Sequence, residues 1–375
     1  MSGKIRVLVV DDSALMRKLI PQALQHDPMI EVVGTAMDGE LGLKKIEELR
    51  PTVVTLDLEM PRMDGIEMLR QITRKHRVQV IVVSAHTRES AGLTLKALSL
   101  GAFDFVTKPQ DAASGRIDQI AADLAMKIKA AAVSGAPKMI ITVPSAKQKE
   151  HRRSPQPHWP SRIVAIGVST GGPNALQYLF SQLPEDFPGC LLVVQHMPEG
   201  FTEMFARRLD ESSAIEVKEA QSGDLLLGGR ALICPGNRHI KVRRMDHGNI
   251  AILVDQPRVN GHRPSVDVLF QSVAQEFGAR GIAVLMTGMG DDGAVGMGAV
   301  KSAGGITIAQ SPETCVVDSM PRAAIERGFV TRVVSLSNLS SVLQSKCVPD
   351  RNFADPDAVA SPAGATAGEV ASRRR

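Results

Sequence analysis

The sequence predicts two α/β domains, each built on a mostly parallel sheet, joined by a polar linker. The 375 residues exceed the roughly 100 to 200 residues that one domain commonly holds. Short β-branched and apolar runs alternate with amphipathic stretches, which is typical of strands that are covered by helices on both faces. Between two such regions lies "AAVSGAPKMIITVPSAKQKEHRRSPQPHWPS", which is rich in Pro, Gly, Ser and positive charge and shows no sustained period.

The composition favours a folded protein of a reducing compartment. Apolar residues make up 43% of the chain and charged residues 22%, as in ordinary globular proteins. The four cysteines form no C-x-x-C pair, so neither a zinc site nor a disulfide framework is predicted. The N terminus does not resemble a signal peptide, and no apolar run approaches about 18 residues. We therefore expect a soluble, cytoplasmic protein. Its net charge of +4 lies largely in "KQKEHRR" and "SRRR", which predict solvated runs rather than a nucleic-acid surface.

The first alternating region predicts five βα units. In chain order, the predicted strands are "IRVLVV", "IEVVGTA", "TVVTLDL", "VQVIVVSA" and "FDFVTKP". The helices between and after them are "SALMRKLIPQALQ", "LGLKKIEEL", "GIEMLRQITRKH", "SAGLTLKALSLG" and "RIDQIAADLAMKIKAA". A parallel sheet with helices on both faces is the expected arrangement.

The second alternating region predicts a larger three-layer α/β/α domain with a mostly parallel sheet. Strands are predicted at "RIVAIGVS", "CLLVVQHM", "EVKEA", "GIAVLMTGMG" and "GITIAQS". Helices are predicted at "ALQYLFSQL", "GFTEMFARRLDE", "SVDVLFQSVAQEFG", "GAVGMGAVKSAG" and "PRAAIERG". Turn signals "PGNR" and "DHGN" within "ALICPGNRHIKVRRMDHGNIAILVD" add a β-hairpin. We place the domains at 1–125 and 161–346, with a linker at 126–160 and a disordered Ala/Pro/Gly-rich tail at 347–375.

Polar residues follow the predicted strands of the first domain at their carboxyl ends. Asp11 and Asp12 follow the first strand, Asp57 the third, Ser84 ends the fourth and Lys108 follows the fifth. Ligands of such sheets bind at this edge, and clustered carboxylates repel unless a divalent cation and an ammonium group neutralise them. Each aspartate alone is equally compatible with a helix cap. The five together favour a Mg²⁺ site beside the lysine, with Asp57 as a nucleophile toward a phosphoryl group.

The same residues carry a family resemblance. The motifs "VVDDSALMR", "LDLEMPRMDG", "VVSAHT" and "FVTKP" resemble the response-regulator receiver domain, a (βα)5 flavodoxin-like fold. The resemblance implies that a sensor histidine kinase phosphorylates Asp57. It implies that Asp12, Asp57 and the main chain at Glu59 hold Mg²⁺, and that Ser84 and Phe105 shift on phosphorylation.

A glycine-rich turn opens the second domain, in "AIGVSTGGP". Its spacing does not match the dinucleotide motif G-x-G-x-x-G, the next strand ends in His196 rather than an acidic residue, and no P-loop lysine is present. What remains is G-x-S-x-G, with Ser169 on a tight turn between strand and helix. Two interpretations stay open here: phosphate binding at the helix start, or a serine nucleophile.

A serine nucleophile needs a base and a group that orients the base. His196 closes the next strand, and "GIAVLMTGMGDDGAVG" places Asp291 and Asp292 after a later one. Taken singly, His196 is compatible with a loop contact and Asp292 with a helix cap. Ser, His and Asp at the carboxyl ends of strands in one sheet favour a nucleophilic site. Their chain order differs from that of α/β-hydrolases and of the familiar proteases, which disfavours an ordinary lipase or peptidase.

The motifs "GVSTGG", "VVQHMPEGFT", "ICPGNRHI", "RPSVDVLF" and "LMTGMGDDGA" resemble the catalytic domain of the CheB chemotaxis methylesterases. The resemblance implies Ser169 as nucleophile, His196 as base and Asp292 as its orienting partner. Backbone N–H groups at Thr170 and Met289 are candidates for holding the oxyanion. The implied activity, which needs no cofactor, is demethylation of glutamate methyl esters and deamidation of glutamines on methyl-accepting chemotaxis proteins.

The order of the two domains predicts a gated hydrolase. A receiver without phosphate is expected to cover the active-site face, and phosphorylation is expected to favour an open form. The expected partners are a sensor histidine kinase and membrane receptors, with only peripheral membrane association and no nucleic acid. A DNA-binding response regulator is the alternative, but no helix-turn-helix pattern follows the linker.

Overall fold

Five parallel strands form the sheet of the N-terminal domain. The computed structural model describes residues 3–108, 117–134 and 158–348. The strands are β1 (Ile5–Val10), β2 (Ile30–Ala36), β3 (Val53–Leu56), β4 (Gln79–Ser84) and β5 (Asp104–Thr107). The helices are α1 (Ala14–Leu24), α2 (Gly39–Leu49), α3 (Gly65–Lys75), α4 (Arg88–Ser99) and α5 (Ile117–Ser134).

The strand order β2-β1-β3-β4-β5 brings the carboxyl ends of β1, β3, β4 and β5 side by side. Alternate residues of each strand point to opposite faces. Val7 and Val9 of β1 pack with α1 and α5, whereas Leu8 and Val10 pack with α2 and α3. Both faces are therefore covered, and the predicted doubly wound parallel fold is confirmed.

Seven parallel strands form the sheet of the C-terminal domain. They are β6 (Ile163–Val168), β7 (Cys190–Gln195), β8 (Glu216–Glu219), β9 (Arg230–Ile233), β12 (Gly281–Leu285), β13 (Ile306–Gln310) and β14 (Arg332–Val334). The helices are α6 (Gly172–Ser181), α7 (Phe201–Glu211), α8 (Val266–Phe277), α9 (Ala294–Ser302), α10 (Ser319–Glu326) and α11 (Leu336–Cys347). Two 3-10 turns lie at Gly278–Arg280 and Pro312–Thr314.

The order β14-β13-β12-β6-β7-β9-β8 places β6 at the centre, between β12 and β7. One face of the sheet packs against α6, α7 and α11, and the other against α8, α9 and α10. Gly167 in β6 permits a close approach of α8, because a Cβ there would lie 2.2 Å from Val266 Cγ1. The predicted three-layer architecture is confirmed.

A separate antiparallel hairpin consists of β10 (His239–Arg243) and β11 (Ile250–Val254). It turns at the "DHGN" signal, as predicted, whereas "PGNR" joins β9 to β10. No predicted element corresponds to β14 or α11. Strand β14 has three residues, and the many serines of α11 weaken its apolar period.

The interdomain segment is only partly described. Helix α5 continues to Ser134, beyond residue 125, where the sequence places the end of the first domain. The rest of the predicted linker up to residue 157, and the predicted tail from residue 349, lie outside the described residues. Among the described helices, none combines the length and apolar character that crossing a bilayer requires.

Candidate phosphorylation and active sites

The predicted acid cluster lies at the carboxyl edge of the N-terminal sheet. Lys108 Nζ is 2.6 Å from Asp57 Oδ2 and 3.0 Å from Asp11 Oδ2. One carboxylate oxygen from each of Asp11, Asp12 and Asp57 lies within 4.8 Å of the other two. The main-chain N–H of Glu59 donates to Asp57 Oδ1 over 3.3 Å. The structure thus brings together the residues that the sequence placed at separate strand ends.

The electrostatics of this cluster fit a divalent cation. Burial raises the pKa of Asp57 to about 6; Lys108 opposes this rise and the charge of Asp11 adds to it. Burial also raises the pKa of Asp11, against the opposing charge of Lys108. One ammonium group therefore does not neutralise the carboxylates. Clustered carboxylate oxygens are the ligands that Mg²⁺ prefers, so the donor set suits this ion.

The two predicted switch residues, Ser84 and Phe105, make contacts in different parts of the structure. The hydroxyl of Ser84, at the end of β4, accepts a hydrogen bond of 2.7 Å from Thr94 Oγ1 on α4. The carbonyl of Ser84 accepts one of 2.7 Å from the N–H of Lys108. Phe105 is buried and stacks on Phe201 at the start of α7, with ring centroids 5.1 Å apart and planes 12° apart. Phe105 therefore contacts the other domain directly.

Ser169 and His196 lie beside one another at the carboxyl edge of the C-terminal sheet. They follow the paired residues Val168 and Gln195 of the central strands β6 and β7. The N–H of His196 donates to the carbonyl of Val168 over 3.1 Å. Gly171, with φ +78°, turns the chain from β6 into α6, a conformation that favours glycine. This tight turn holds Ser169 at the edge of the sheet.

The carboxylate of Asp292 lies 2.9 Å from Nε2 of His196, through its Oδ2. The neighbouring Asp291 is exposed and pairs instead with Arg327 over 2.7 Å. Of the two adjacent acids, Asp292 is therefore the one in contact with the imidazole. Asp292 is buried, with 1% of its surface exposed.

Asp292 is held in its ionised form by several donors. Its Oδ1 accepts from Ser265 Oγ over 2.8 Å and from Asn260 Nδ2 over 3.1 Å, and its Oδ2 accepts from the N–H of Val266 over 2.7 Å. Val266 is the first residue of α8, where the helix dipole favours negative charge. Burial alone would raise the pKa of Asp292, but His196 and the other donors outweigh it and lower this pKa to about 2.

Ser169 Oγ makes no hydrogen bond to His196 or to any other described residue. The second ring nitrogen of His196, Nδ1, is buried and has no partner among the described residues. Because Nε2 faces Asp292, Nδ1 is the ring nitrogen that is left without a hydrogen-bonding contact in the described part of the chain. The amide of Gln195 donates to the carbonyls of both Ser169 (3.0 Å) and His196 (3.1 Å) and so ties the two backbones together.

The two predicted oxyanion donors lie in adjoining loops. Within the described ranges, the N–H groups of Thr170 and Met289 donate no hydrogen bond. The loops approach closely at Gly288, where a Cβ would lie 2.8 Å from Ser169 Cβ and 2.2 Å from Met320 Sδ. The N–H of Ser169 itself donates to the carbonyl of Thr287 over 3.0 Å. Both predicted donors thus have an available N–H.

The N-terminal domain contacts the residue next to Ser169. Asp104 of β5 accepts a hydrogen bond of 2.6 Å from the hydroxyl of Thr170, and both side chains are buried. Lys127 of α5 lies 3.7 Å from the same carboxylate group and donates to the carbonyl of Phe105. A carboxylate of the first domain therefore lies at the turn of the second domain that carries Ser169.

Two further contacts join the domains away from this turn. Arg88 at the start of α4 pairs with Glu203 of α7 over 2.6 Å. Asn174 Nδ2 of α6 donates to the carbonyl of Leu98, near the end of α4, over 2.9 Å. Helix α4 therefore packs on α6 and α7, the two helices that follow Ser169 and His196 in the chain.

Several residues that surround this site were not predicted to have a role. Asp104, Asn260 and His262 carry no signal of their own, because their contacts are made across the fold. Gln195 stands in "VVQHMPEGFT", which the family resemblance includes, but no role was predicted for it. Ser265 and Asp267 stand in "RPSVDVLF", which the family resemblance includes, but no role was predicted for them. The structure shows Asn260 Nδ2 bridging Asp292 and Asp267, at 3.1 and 2.7 Å.

Two known protein families match separate parts of the chain. The model of the response regulator receiver domain matches residues 7–117, and that of the CheB methylesterase matches residues 164–343. Together they define a class: a receiver domain followed by a methylesterase domain.

Relatives of the same class span nearly the whole chain. A protein-glutamate methylesterase/protein-glutamine glutaminase 2 of Koribacter versatilis is 61% identical over 353 residues, covering 92% of this chain and 97% of the relative. The enzyme named protein-glutamate methylesterase/protein-glutamine glutaminase of Symbiobacterium thermophilum is 46% identical, with 90% and 96% covered. The crystal structure of the Thermotoga maritima CheB methylesterase catalytic domain is 40% identical, covering 49% of this chain and 97% of that one, with a TM-score of 0.48.

The chain belongs to the CheB protein-glutamate methylesterase/protein-glutamine glutaminase family. The enzyme class predicted from the sequence is thereby confirmed, as is the receiver domain.

Proposed function

We propose that this protein removes methyl groups from glutamate methyl esters, and amide groups from glutamines, of methyl-accepting chemotaxis proteins. Phosphorylation of its receiver domain controls the reaction. The observation that carries this proposal is the contact of 2.9 Å between His196 and the buried Asp292, at the edge where Ser169 also lies. A module that only binds a phosphate at the start of α6 would have no use for this pair.

The proposed reaction proceeds through an acyl-enzyme. Ser169 Oγ attacks the ester carbonyl carbon while its proton passes to Nδ1 of His196. The imidazolium then protonates the methoxy oxygen, the C–O bond breaks, and methanol leaves. Water attacks the acyl group after giving a proton to His196, which returns it to Ser169 Oγ as the carboxylate is released. For a glutamine the leaving group is ammonia.

Charge stabilisation accompanies each proton transfer. Asp292 stabilises the imidazolium because it is ionised at working pH and bonded to Nε2. The oxyanion is expected to accept from the N–H groups of Thr170 and Met289. One such donor is typically worth about 3 to 4 kcal/mol in the transition state.

The receiver is proposed to inhibit the hydrolase in the unphosphorylated form. The carboxylate of Asp104 is bonded to Thr170, one of the proposed oxyanion donors, and so places negative charge close to where an oxyanion forms. The stack of Phe105 on Phe201 and the packing of α4 on α6 and α7 hold this arrangement. Substrate glutamates on a receptor helix need that surface to be free.

The phosphorylation site and this interface share a strand. Lys108, which pairs with Asp57, follows β5, and β5 carries both Asp104 and Phe105. The carboxylates of Asp12 and Asp57 and the main chain at Glu59 are suited to hold Mg²⁺, which neutralises charge on the phosphoryl oxygens when it is bound. A phosphoryl group on Asp57 is expected to bind Lys108, which already pairs with Asp57, and Ser84. These contacts favour the form in which Asp104 of β5 no longer contacts Thr170.

The partners follow from this function. A sensor histidine kinase supplies the phosphoryl group, and the methyl-accepting receptors are the substrates, reached from the cytoplasm by peripheral association. We propose that the first unit runs to the end of α5 at Ser134 rather than to residue 125, and that the second spans residues 161–346, in keeping with the family matches at 7–117 and 164–343.

Methanol release from methylated receptor membranes tests the proposal. The full-length chain should release methanol faster with Mg²⁺ and acetyl phosphate than without, and Ser169→Ala should abolish the release in both conditions. Ser341→Ala, at an exposed serine of α11, is the matched control and should behave as the wild type. Turnover that survives Ser169→Ala contradicts the hydrolase; turnover indifferent to the phosphodonor contradicts only its control by the receiver.

A further inference from the structure

A four-residue turn next to Asp292 carries two side chains into the active site. Val259 and His262 exchange backbone hydrogen bonds of 2.9 and 3.0 Å, and the residues between them, Asn260 and Gly261, have φ of 53° and 78°. Positive φ at both central residues is typical of a type I′ turn, for which Asn-Gly is the preferred sequence. Asn260 bonds to Asp292, and the same turn sets the position of His262.

The ring of His262 lies flat on the ring of His196. Their centroids are 3.8 Å apart and their planes differ by 4°. The edge of His196 is bonded to Asp292 through Nε2, so the two contacts restrain different motions of the ring. The carboxylate restrains the ring within its plane, and the stacked ring restrains rotation out of that plane.

Burial, together with nearby positive charge, keeps His262 neutral. Burial lowers the pKa of His262 to about 4, and the positive charges of His196 and Arg258 act in the same direction. The carboxylates of Asp292 and, on α5 of the receiver, Asp123 oppose this shift without cancelling it. At neutral pH the stacked partner of His196 is therefore an uncharged aromatic ring.

We propose that His262 is a positioning residue for His196: it holds the plane of the catalytic imidazole and stabilises the imidazolium through its uncharged ring face. The inference rests on the proposed function, in which His196 gains a proton as Ser169 attacks. A cation over a neutral aromatic face is attracted by the ring quadrupole, whereas a second cation in that place would repel it. No proton passes through His262 itself.

Variants of His262 in the full-length, phosphodonor-activated protein test this role. His262→Ala should lower kcat/KM for methanol release about tenfold and move the acid limb of its pH profile to lower pH by about 0.5 to 1 unit. His262→Phe restores a flat neutral ring and should recover most of both losses. His262→Gln is a second variant without a ring, and His247→Ala, at an exposed histidine of the hairpin turn, is the matched control.

A ring-nitrogen NMR titration of the same variants gives a readout that is independent of turnover. The midpoint of the His196 signal, identified by its loss in His196→Gln, should fall in His262→Ala and recover in His262→Phe. Equal impairment of the Phe and Ala variants overturns the inference, because it means that a ring nitrogen is needed. An unchanged rate and an unchanged midpoint in His262→Ala overturn it as well. Neither outcome affects the proposed hydrolase, which depends on the Ser169→Ala result.

Discussion

Removing the carboxylate of Asp104 is expected to activate the enzyme without phosphorylation. In Asp104→Ala the hydroxyl of Thr170 loses the acceptor that lies 2.6 Å away in a buried interface. A hydrogen bond to a charged group contributes about 1.5 to 3 kcal/mol. If this bond exists only in the closed form, the ratio of closed to open molecules falls about 10- to 100-fold.

The ion pair between Arg88 and Glu203 is a weaker interdomain contact by the same reasoning. The side chain of Arg88 is 76% exposed and that of its partner Glu203 is 38% exposed, and exposed ion pairs contribute about 0.2 to 1 kcal/mol. Arg88→Ala should therefore raise the unphosphorylated activity at most about fivefold, and added salt should diminish the difference. Asp104→Ala should exceed it at every salt concentration.

The assay is methanol release by the full-length chain, with and without acetyl phosphate. Asp104→Ala should show a higher rate without phosphodonor and a smaller stimulation ratio. Asp27→Ala is the matched control, because it removes a carboxylate that pairs with another lysine of α5, Lys129, at 2.7 Å, without touching Thr170. An unphosphorylated rate within about twofold of the wild type, with stimulation intact, would refute the proposed role of Asp104.

Further outcomes are expected for variants of three residues. Asp292→Asn should lower the activated rate of methanol release about 10³- to 10⁴-fold, because the imidazolium loses its ionised partner. Because the pKa of Asp292 is lowered to about 2 in the folded protein, its ionised form stabilises the fold above pH 4 by about 2 kcal/mol. In unfolding measurements, the stability advantage of the wild type over Asp292→Asn should therefore shrink as the pH falls from about 4 to about 2. Asn260→Ala removes one amide donor from each of two buried carboxylates and should cost about 1 to 3 kcal/mol in urea unfolding, whereas no change in stability would contradict the bridging role. Asp57→Asn, or chelation of Mg²⁺ from the wild type, should abolish stimulation by acetyl phosphate. Stimulation that persists in Asp57→Asn would place the phosphoryl acceptor elsewhere, and stimulation that persists after chelation would contradict the proposed Mg²⁺ site.

Most of the fold was predictable because its signals are local. The buried strands β1, β3, β4, β6, β7 and β12 are short continuous apolar runs, and amphipathic helices separate them. Helix α11 was not predicted because about half of its residues are polar. Its position depends on packing against α6: Ser340 Oγ of α11 donates to the carbonyl of Gln182 at the end of α6. Such a helix is defined by the surface it covers rather than by its own period.

The candidate sites also have a part that local sequence signals predict and a part that they do not. Asp57, Lys108, Ser169 and His196 stand at strand ends, and parallel strands bring all such ends to one edge, so their proximity follows from the strand pattern. The choice of Asp292 over Asp291 rested on the family motif, and in the structure burial and contact with His196 distinguish the two.

By itself, the sequence determined two parallel α/β domains, the edge at which each site lies, and the residue types that meet there. Only the tertiary structure decided that His262 stacks on His196, that Asn260 bridges two carboxylates, and that Asp104 reaches Thr170. The physical reason is range. Strand and helix periods are written in neighbouring residues, whereas these contacts join loops and domains up to 66 residues apart, whose positions depend on how complete surfaces pack.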